Sequence, residues 1–421
     1  MPASADQSAP ALVVRTRRIP DPGDLVAIIP PDVDSADVLS WLRDGEGFVG
    51  WGRAAYLETS ATSRFADADA WWSDLVGRAV VRSEVEVPGA GLVAFGSFAF
   101  AADSASPSTL IVPRVIVGRR GGLAWVTTIS GSLEQPPSPR EQPIAVRPAN
   151  LQTRPGALDE DGWAQAIGVA VQRISAGDLD KVVMARDVFI TGQEPLDARW
   201  LLERLSTSYR KTWTFSVDRL IGATPEMLVR REKALVTSRI LAGTIQRTGD
   251  DEHDLALAAS LARSSKDLEE HEYAVRSVAE ALDAHCSSMN VPEAPFVLHL
   301  PNVMHLATDV AGVLSDSSSS LALAAALHPS AAVCGTPTWK AREVIADLEQ
   351  MDRGRYAGPV GWIDSSGDGE WGIALRCGQI QEDPATIRLF AGCGIVAGSD
   401  PQDEVAESNA KLRPMLSALH D

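Results

Sequence analysis

Two apolar, β-branched stretches between residues 93 and 130, VAFGSFAFAA and LIVPRVIVGRRGGLAWVTTIS, predict strands, the second folded at Gly121-Gly122 in the manner of a hairpin. The first third of the chain therefore reads as strand-rich. From 131 to about 157 the segment GSLEQPPSPREQPIAVRPANLQTRPG is proline-dense, polar and without the period of either regular element, which marks the main boundary. Beyond it the pattern predicts a helix over DEDGWAQAIGVAVQRISAG, a strand over KVVMARDVFI, a helix over ARWLLERLSTSY, and strands around FSVDRLIGATPEMLVRR and ALVTSRILAGT. Two helices are expected between about 251 and 287, a third at 338–349, strands between 358 and 391, and a last helix over 401–419. Strands mostly neighbour strands and strict βαβ alternation is absent. The predicted fold class is α+β, with an antiparallel sheet core and helices outside.

The chain has 421 residues, 45% of them hydrophobic, which is ample for a large core. It contains no run of eighteen apolar residues, and its start has no apolar segment behind basic residues; a cytoplasmic protein with no membrane partner is expected. A net charge of −18 argues against a nucleic-acid partner, and implies that an anionic substrate needs a local source of positive charge. The four cysteines and seven histidines show no zinc-binding or CxxC spacing, so buried, reduced thiols are expected.

Acids cluster in SSKDLEEHEY, residues 264–273. On a helix, Asp267 and Glu270 share a face that Ala274, Ser277 and Ala281 continue, a small stripe with room for something to lie on it. The last helix repeats the device: Asp400 caps it, Pro401 suits its first position, and Glu404, Glu407 and Lys411 share a face. If these four carboxylates meet, they need a cation, and a hard oxygen set suits Mg²⁺; if they do not, both pairs are solvated decoration. Gly392, Gly394 and Gly398 are spaced GxGxxxG and are followed by acids, a poor match to a pyrophosphate site. The same glycines could let backbone approach a substrate carboxylate. Lys181 leads an apolar strand, where desolvation makes a lysine a candidate base, although strand-end lysines commonly reach for water. Glu226, in a Thr-Pro turn among apolar residues, is a candidate general acid or an ordinary turn acid. Arg376 lies in the apolar stretch GEWGIALRCGQI, read as a strand, and such an arginine usually meets a carboxylate.

KVVMAR (181–186), GATPEML (222–228), LAGT (241–244), SKDLEEH (265–271), MHLAT (304–308), GPVGW (358–362), ALRC (374–377) and AGCGIV…E..E…KL (391–412), in this order, resemble the chorismate-utilising enzymes, and within them the isochorismate synthases of menaquinone or siderophore type. The resemblance implies two large, mostly antiparallel sheets packed together with helices outside. It also implies a variable N-terminal subdomain (1–150) completing the sheet core and a chorismate-binding catalytic region (155–421), and the expected assembly is a monomer. By the same resemblance Glu270 and Glu407 are direct Mg²⁺ ligands, supported by Asp267 and Glu404. Lys181 is the base that activates water for attack at C2 of chorismate, and Glu226 the acid that protonates the departing C4 hydroxyl. Arg376 and Tyr356 hold the enolpyruvyl carboxylate; Gly243, Thr244, Gly392, Gly394 and Lys411 complete the pocket wall, with His305 beside the ring.

Lys181, and Ala307 where ammonia-using relatives carry threonine, favour water as nucleophile. Salicylate synthases share Lys181, Glu226 and the metal acids and go on to eliminate pyruvate, so that product stays open at this point. Thr336 departs from a bulkier residue associated with some siderophore-pathway members. A binding protein without turnover would not require both Lys181 and Glu226.

Overall fold

The computed structural model describes residues 11–131, 139–300 and 303–420, apart from the side chains of Lys266 and Glu270. Among the described residues the strands form two sheets, one of 13 strands and one of 10. Every pairing is antiparallel except that of Val13–Ile19 with Val80–Ser83. Helices cover the outside, so the expected α+β class with two large antiparallel sheets holds.

The sheets pack face to face. Phe48, from the larger sheet, meets Phe95 and Trp362 of the smaller edge-on, with ring centroids 5.3 and 5.2 Å apart. Such pairs contribute about 0.5–1.5 kcal/mol each beyond the area they bury. Trp371 and Phe98 extend the same core. Outside the larger sheet, the helices Ala198–Ser208 and Pro401–His420 bury Leu201, Leu205, Leu412, Met415 and Leu419 against Ile190, Ile221 and Leu389. A hydrogen bond from Trp200 Nε1 to the Ala418 carbonyl, 2.9 Å, joins the two helices.

At two places the chain leaves one sheet for the other. Leu220–Thr224 belongs to the larger sheet and Met227–Glu232 to the smaller, with Pro225-Glu226 between them. Gly369–Ile373 belongs to the smaller sheet and Cys377–Ile380 to the larger, with residues 374–376 between them. The crossings run side by side: Ile373 N donates to the Glu226 carbonyl and Ala223 N to the Arg376 carbonyl, both at 3.1 Å. Arg376 is thus not inside a strand, as its apolar neighbours suggested. It sits in the gap between the sheets with φ of 49°, a left-handed conformation that a non-glycine residue adopts at a cost.

Other expectations shift in detail. The stretch FSVDRLIGATPEMLVRR, read as one strand region, holds three strands within 213–232, the helix Arg64–Arg78 interrupts the strand-rich first third, and the second helix of the 251–287 pair ends at Asp283, where the chain returns to a strand at Cys286. The stripe on Ser265–Asp283 faces the protein: Ala274 is wholly buried in the core, so its smallness serves close packing on the sheet and leaves no room for a ligand.

Strands from before residue 131 pair with strands from after residue 155 in both sheets, Val38–Arg43 with Trp213–Val217 and Val93–Ser97 with Pro359–Asp364. Part of the proline-dense segment, 132–138, lies outside the described residues. A fragment comprising 155–421 alone exposes two sheet edges and half of the aromatic core. It is expected to aggregate or to lack a cooperative thermal transition by circular dichroism, whereas a soluble, cooperatively unfolding fragment would show that the catalytic region folds by itself.

Candidate active site

The gap between the sheets is a cleft of about 1010 Å³, counted to its open mouth. Each wall follows from the topology. Both crossings project into it, carrying Glu226 and Arg376. The larger sheet supplies Val183 from Lys181–Thr191, and Phe390, Ala391, Gly392 and Gly394 from Thr386–Ile395. The smaller sheet supplies Gly243 and Thr244 from Leu235–Gln246 and His305 from Val303–Leu314. The helices Ser265–Asp283 and Pro401–His420 close it with Asp267, Glu404, Glu407 and Lys411.

Of the residues singled out in the sequence, Glu226, Gly243, Thr244, Asp267, His305, Tyr356, Arg376, Gly392, Gly394, Glu404, Glu407 and Lys411 line this cleft. Lys181 is not among the lining residues. It is 2% exposed, points to the same strand face as the lining Val183, and its charge acts on Glu226. The side chain of Glu270 lies outside the described residues.

Several local features explain why these residues stand where they do. At Gly243 the pairing of Leu235–Gln246 with Val303–Leu314 slips, so Thr244 rather than Gly243 comes opposite His305. Gly243 has φ of 77°, and a Cβ there would lie 3.0 Å from the Asp267 Cβ; glycine thus permits both the bulge and the approach of the acidic helix. That helix starts with Ser264, whose Oγ accepts from Asp267 N, and is pinned to the strand by a 2.7 Å hydrogen bond between His271 Nε2 and Thr308 Oγ1. Gly392 lies inside a strand opposite Ala185, and not in a phosphate-binding turn. A Cβ on it would meet the Met184 carbonyl at 2.9 Å and the Tyr356 hydroxyl at 3.0 Å. The Tyr356 ring stacks on Phe390, 5.0 Å between centroids.

Glu226 is 5% exposed. Burial raises its pKa to about 8, against the opposing pull of Lys181, Lys411, a hydrogen bond from the Leu241 amide, and Arg376. At neutral pH it is therefore a protonated acid. His305 is neutral, because burial and the charges of Arg376 and Lys411 hold its pKa well below the usual value. Its tautomer follows from geometry. Arg376 Nη2 lies 3.4 Å from His305 Nε2, and a guanidinium only donates, so Nε2 accepts and the proton sits on Nδ1, 3.1 Å from Thr244 Oγ1. Lys411 donates to the Gly392 carbonyl at 2.9 Å and pairs with Glu407 at 2.6 Å.

Arg376 and Lys411 bring positive charge to the cleft of a chain whose net charge is −18, while Arg353, which also lines it, is paired with Glu349. Asp267, Glu404 and Glu407 line the same cleft, and oxygens of Glu404 and Glu407, both from the last helix, lie with Cys393 Sγ within 4.8 Å of one another. Hard carboxylate oxygens from separate helices fit Mg²⁺. The Cys393 thiol, which donates to the Glu404 carbonyl, is a soft group of no use to that ion.

The sequence reading missed Glu349 and Arg353. Both are buried, ion-paired and hydrogen-bonded to the main chain of the Lys181 strand. Their spacing of four residues in EQMDR, just before Tyr356, was the available signal.

A family model described as chorismate binding enzyme matches residues 39–420. The chain belongs to that family. Isochorismate synthase DhbC of Bacillus subtilis (strain 168) is 41% identical over 273 residues, covering 62% of this chain and 68% of the relative. Isochorismate synthase MenF of the same strain is 39% identical over 266 residues, 62% of this chain and 56% of the relative, so the chain spans little more than half of the latter's length. The solved structure of MenF, the menaquinone-specific isochorismate synthase from Escherichia coli, matches with a TM-score of 0.78 at 25% identity, covering 97% of this chain and 95% of that one.

If Glu226 acts as a proton donor, activity is present while it is protonated and is lost as pH rises through its pKa. The profile of kcat/KM against pH is expected to fall on the alkaline side with an apparent pKa near 8. A flat profile between pH 6.5 and 9 would remove Glu226 from that role.

Proposed function

We propose that the protein is an isochorismate synthase, converting chorismate to isochorismate by adding water at C2 and releasing the C4 hydroxyl. The observation that carries this reading is the pairing of a buried lysine, Lys181, with a buried, protonated acid, Glu226, whose carboxyl feels the lysine's charge across a cleft lined with cations. Water is a poor nucleophile and hydroxide a poor leaving group, so this allylic displacement needs a base and an acid at different atoms. As the neutral amine, formed when its ammonium releases a proton to solvent, Lys181 takes a proton from the attacking water. Glu226 gives its proton to the departing C4 oxygen, both ring double bonds shift by one position away from C2 toward C4, and a molecule of water leaves. One water enters and one departs, so the reaction is an isomerisation, and proton exchange with solvent resets the two residues.

The other lining residues fit the two carboxylates of chorismate. Arg376 and Tyr356 would hold the enolpyruvyl carboxylate, with Lys411 on the same cleft and neutral His305 oriented by Arg376 and Thr244. Gly392 lets the Tyr356 hydroxyl approach the strand wall, since a Cβ there would lie 3.0 Å from it. Mg²⁺ held by Glu270 and Glu407, with Asp267 and Glu404 in support, would supply the charge that receives the ring carboxylate. Both curated relatives carry the isochorismate synthase name, which favours this product over salicylate. No helix among the described residues is long and apolar enough to cross a membrane.

The direct test is incubation of the purified protein with chorismate and Mg²⁺, followed by chromatography for isochorismate, salicylate and pyruvate. Isochorismate without pyruvate is expected, matching salicylate and pyruvate would change the product assignment, and unchanged chorismate would refute catalysis. Lys181→Ala and Glu226→Gln are each expected to lower kcat by at least about 100-fold in a protein that still unfolds cooperatively; near-normal turnover in either variant removes that residue from its role. EDTA should abolish turnover and Mg²⁺ restore it, with Glu407→Ala unresponsive to added metal. Turnover indifferent to chelation would contradict the metal assignment.

A further inference from the structure

The strand carrying Lys181 has a hole in its edge. On one side it pairs with Thr386–Ile395 from Val182 to Thr191. On the other, Gly335–Thr336 reaches only Lys181 and Val182, and Gln152–Pro155 only Val188 to Thr191. Between them, among the described residues, no strand faces positions 183–187, and buried main-chain groups there need other partners. Main chain serves two of them, Val183 N donating to the Cys334 carbonyl at 2.9 Å and Gly156 N to the Asp187 carbonyl at 3.0 Å, and side chains serve the Val183 carbonyl and Ala185. Arg353 Nη2 donates to the Val183 carbonyl at 2.6 Å, Ala185 N donates to Glu349 Oε1 at 2.7 Å, and Trp163 Nε1 donates to the Ala185 carbonyl at 3.0 Å.

Glu349 and Arg353 form one unit. Arg353 Nε donates to Glu349 Oε2 at 2.9 Å, and Arg353 also donates to the Val333 carbonyl at 3.0 Å while its guanidinium lies 4.4 Å over the Phe100 ring. Glu349 is 1% exposed and Arg353 3%. A buried pair of this kind is a weak source of stability, since apolar residues of similar size often serve as well or better. What apolar residues could not do is bind the Val183 carbonyl and the Ala185 amide. Val183 is two residues from Lys181 on the same strand face, so these bonds fix the height of the strand beside the cleft.

We propose that Glu349 and Arg353 are positioning residues that stand in for a missing strand and hold Lys181 in register with Glu226. The proposal rests on the roles assigned to Lys181 and Glu226 above. Displacing a reacting group by about 1 Å can cost on the order of 100-fold in rate without weakening substrate binding.

The test compares the wild type with Glu349→Leu/Arg353→Met, which removes both charges together, and with Arg353→Lys, which keeps a cation against Glu349. Steady-state kinetics with chorismate and Mg²⁺ are read beside thermal unfolding. The expected result for the double variant is a kcat at least about 30-fold lower with KM changed less than about threefold, and for Arg353→Lys, whose single ammonium cannot reach Glu349 and the Val183 and Val333 carbonyls together, a smaller loss of kcat at constant KM. A double variant with wild-type kcat, or one whose KM rises while kcat holds, overturns the proposal; the latter would make Arg353 a substrate contact. Should the double variant not fold, Arg353→Lys decides, since a kcat loss at constant KM upholds the proposal and unchanged kcat sinks it. Lys181→Ala is run in parallel, so normal turnover in that variant refutes the base assignment separately. In that event amide hydrogen exchange at Ala185 tests the pair alone. Faster exchange in the double variant, with residues 386–395 unchanged, upholds the clamp, and unaltered exchange refutes it.

Discussion

A neutral carboxyl kept out of water beside cations is the constraint on which the rest of the site depends. Glu226 is not in a strand, a helix or an exposed loop but at a crossing between two sheets, where the chain has no room for solvent and must bind its own main chain. The second crossing, at Arg376, hydrogen-bonds to the first, so the acid and the cation that acts on it, far apart in the chain, are held on two crossings tethered by two main-chain hydrogen bonds. Burial pushes the carboxyl toward its protonated form, and Lys181, Lys411 and Arg376 limit how far. The balance leaves a proton donor usable near neutral pH. The left-handed backbone at Arg376 is tolerated because strands on both sides anchor it.

The distribution of charge follows the same logic on a larger scale. A chain with a net charge of −18 repels anions, yet its cleft is lined by Arg376 and Lys411 and by acids suited to holding a divalent cation. The acids arrive on two helices, one from the middle and one from the end of the region 155–421. Each helix is drawn close by glycine or by a pinned polar contact: Gly243 under Asp267, and the Gly392 carbonyl accepting from Lys411. Small residues on these elements therefore act through main-chain proximity and not through empty space, which is why the Ala274 stripe proved to be packing.

Much of this was legible in the sequence, and the reasons differ by element. Lys181–Thr191 and Thr386–Ile395 read as strands because apolar, β-branched runs permit little else, and the acids at 267, 404 and 407 read as a set because helical spacing puts them on faces. Arg64–Arg78 has the helical spacing Phe65, Ala68, Trp72, Leu75, but its aromatic content beside strand-like neighbours masked the period. The short helix Ser320–Leu327 is apolar all round and carries no period to detect. Arg376 was misplaced because a crossing between sheets has the same apolar composition as a strand. Glu349 and Arg353 were invisible as partners of the Lys181 strand, since a gap in a sheet edge exists only once the strand order is known.

The most direct test of this account is the protonation state of Glu226 itself, read by infrared difference spectroscopy between the wild type and Glu226→Gln across pH. The account predicts the carbonyl band of a protonated carboxylic acid at pH 6.5 that disappears with a midpoint near 8. A carboxylate band at pH 6.5, with no protonated form at any pH where the protein is folded and active, would contradict it.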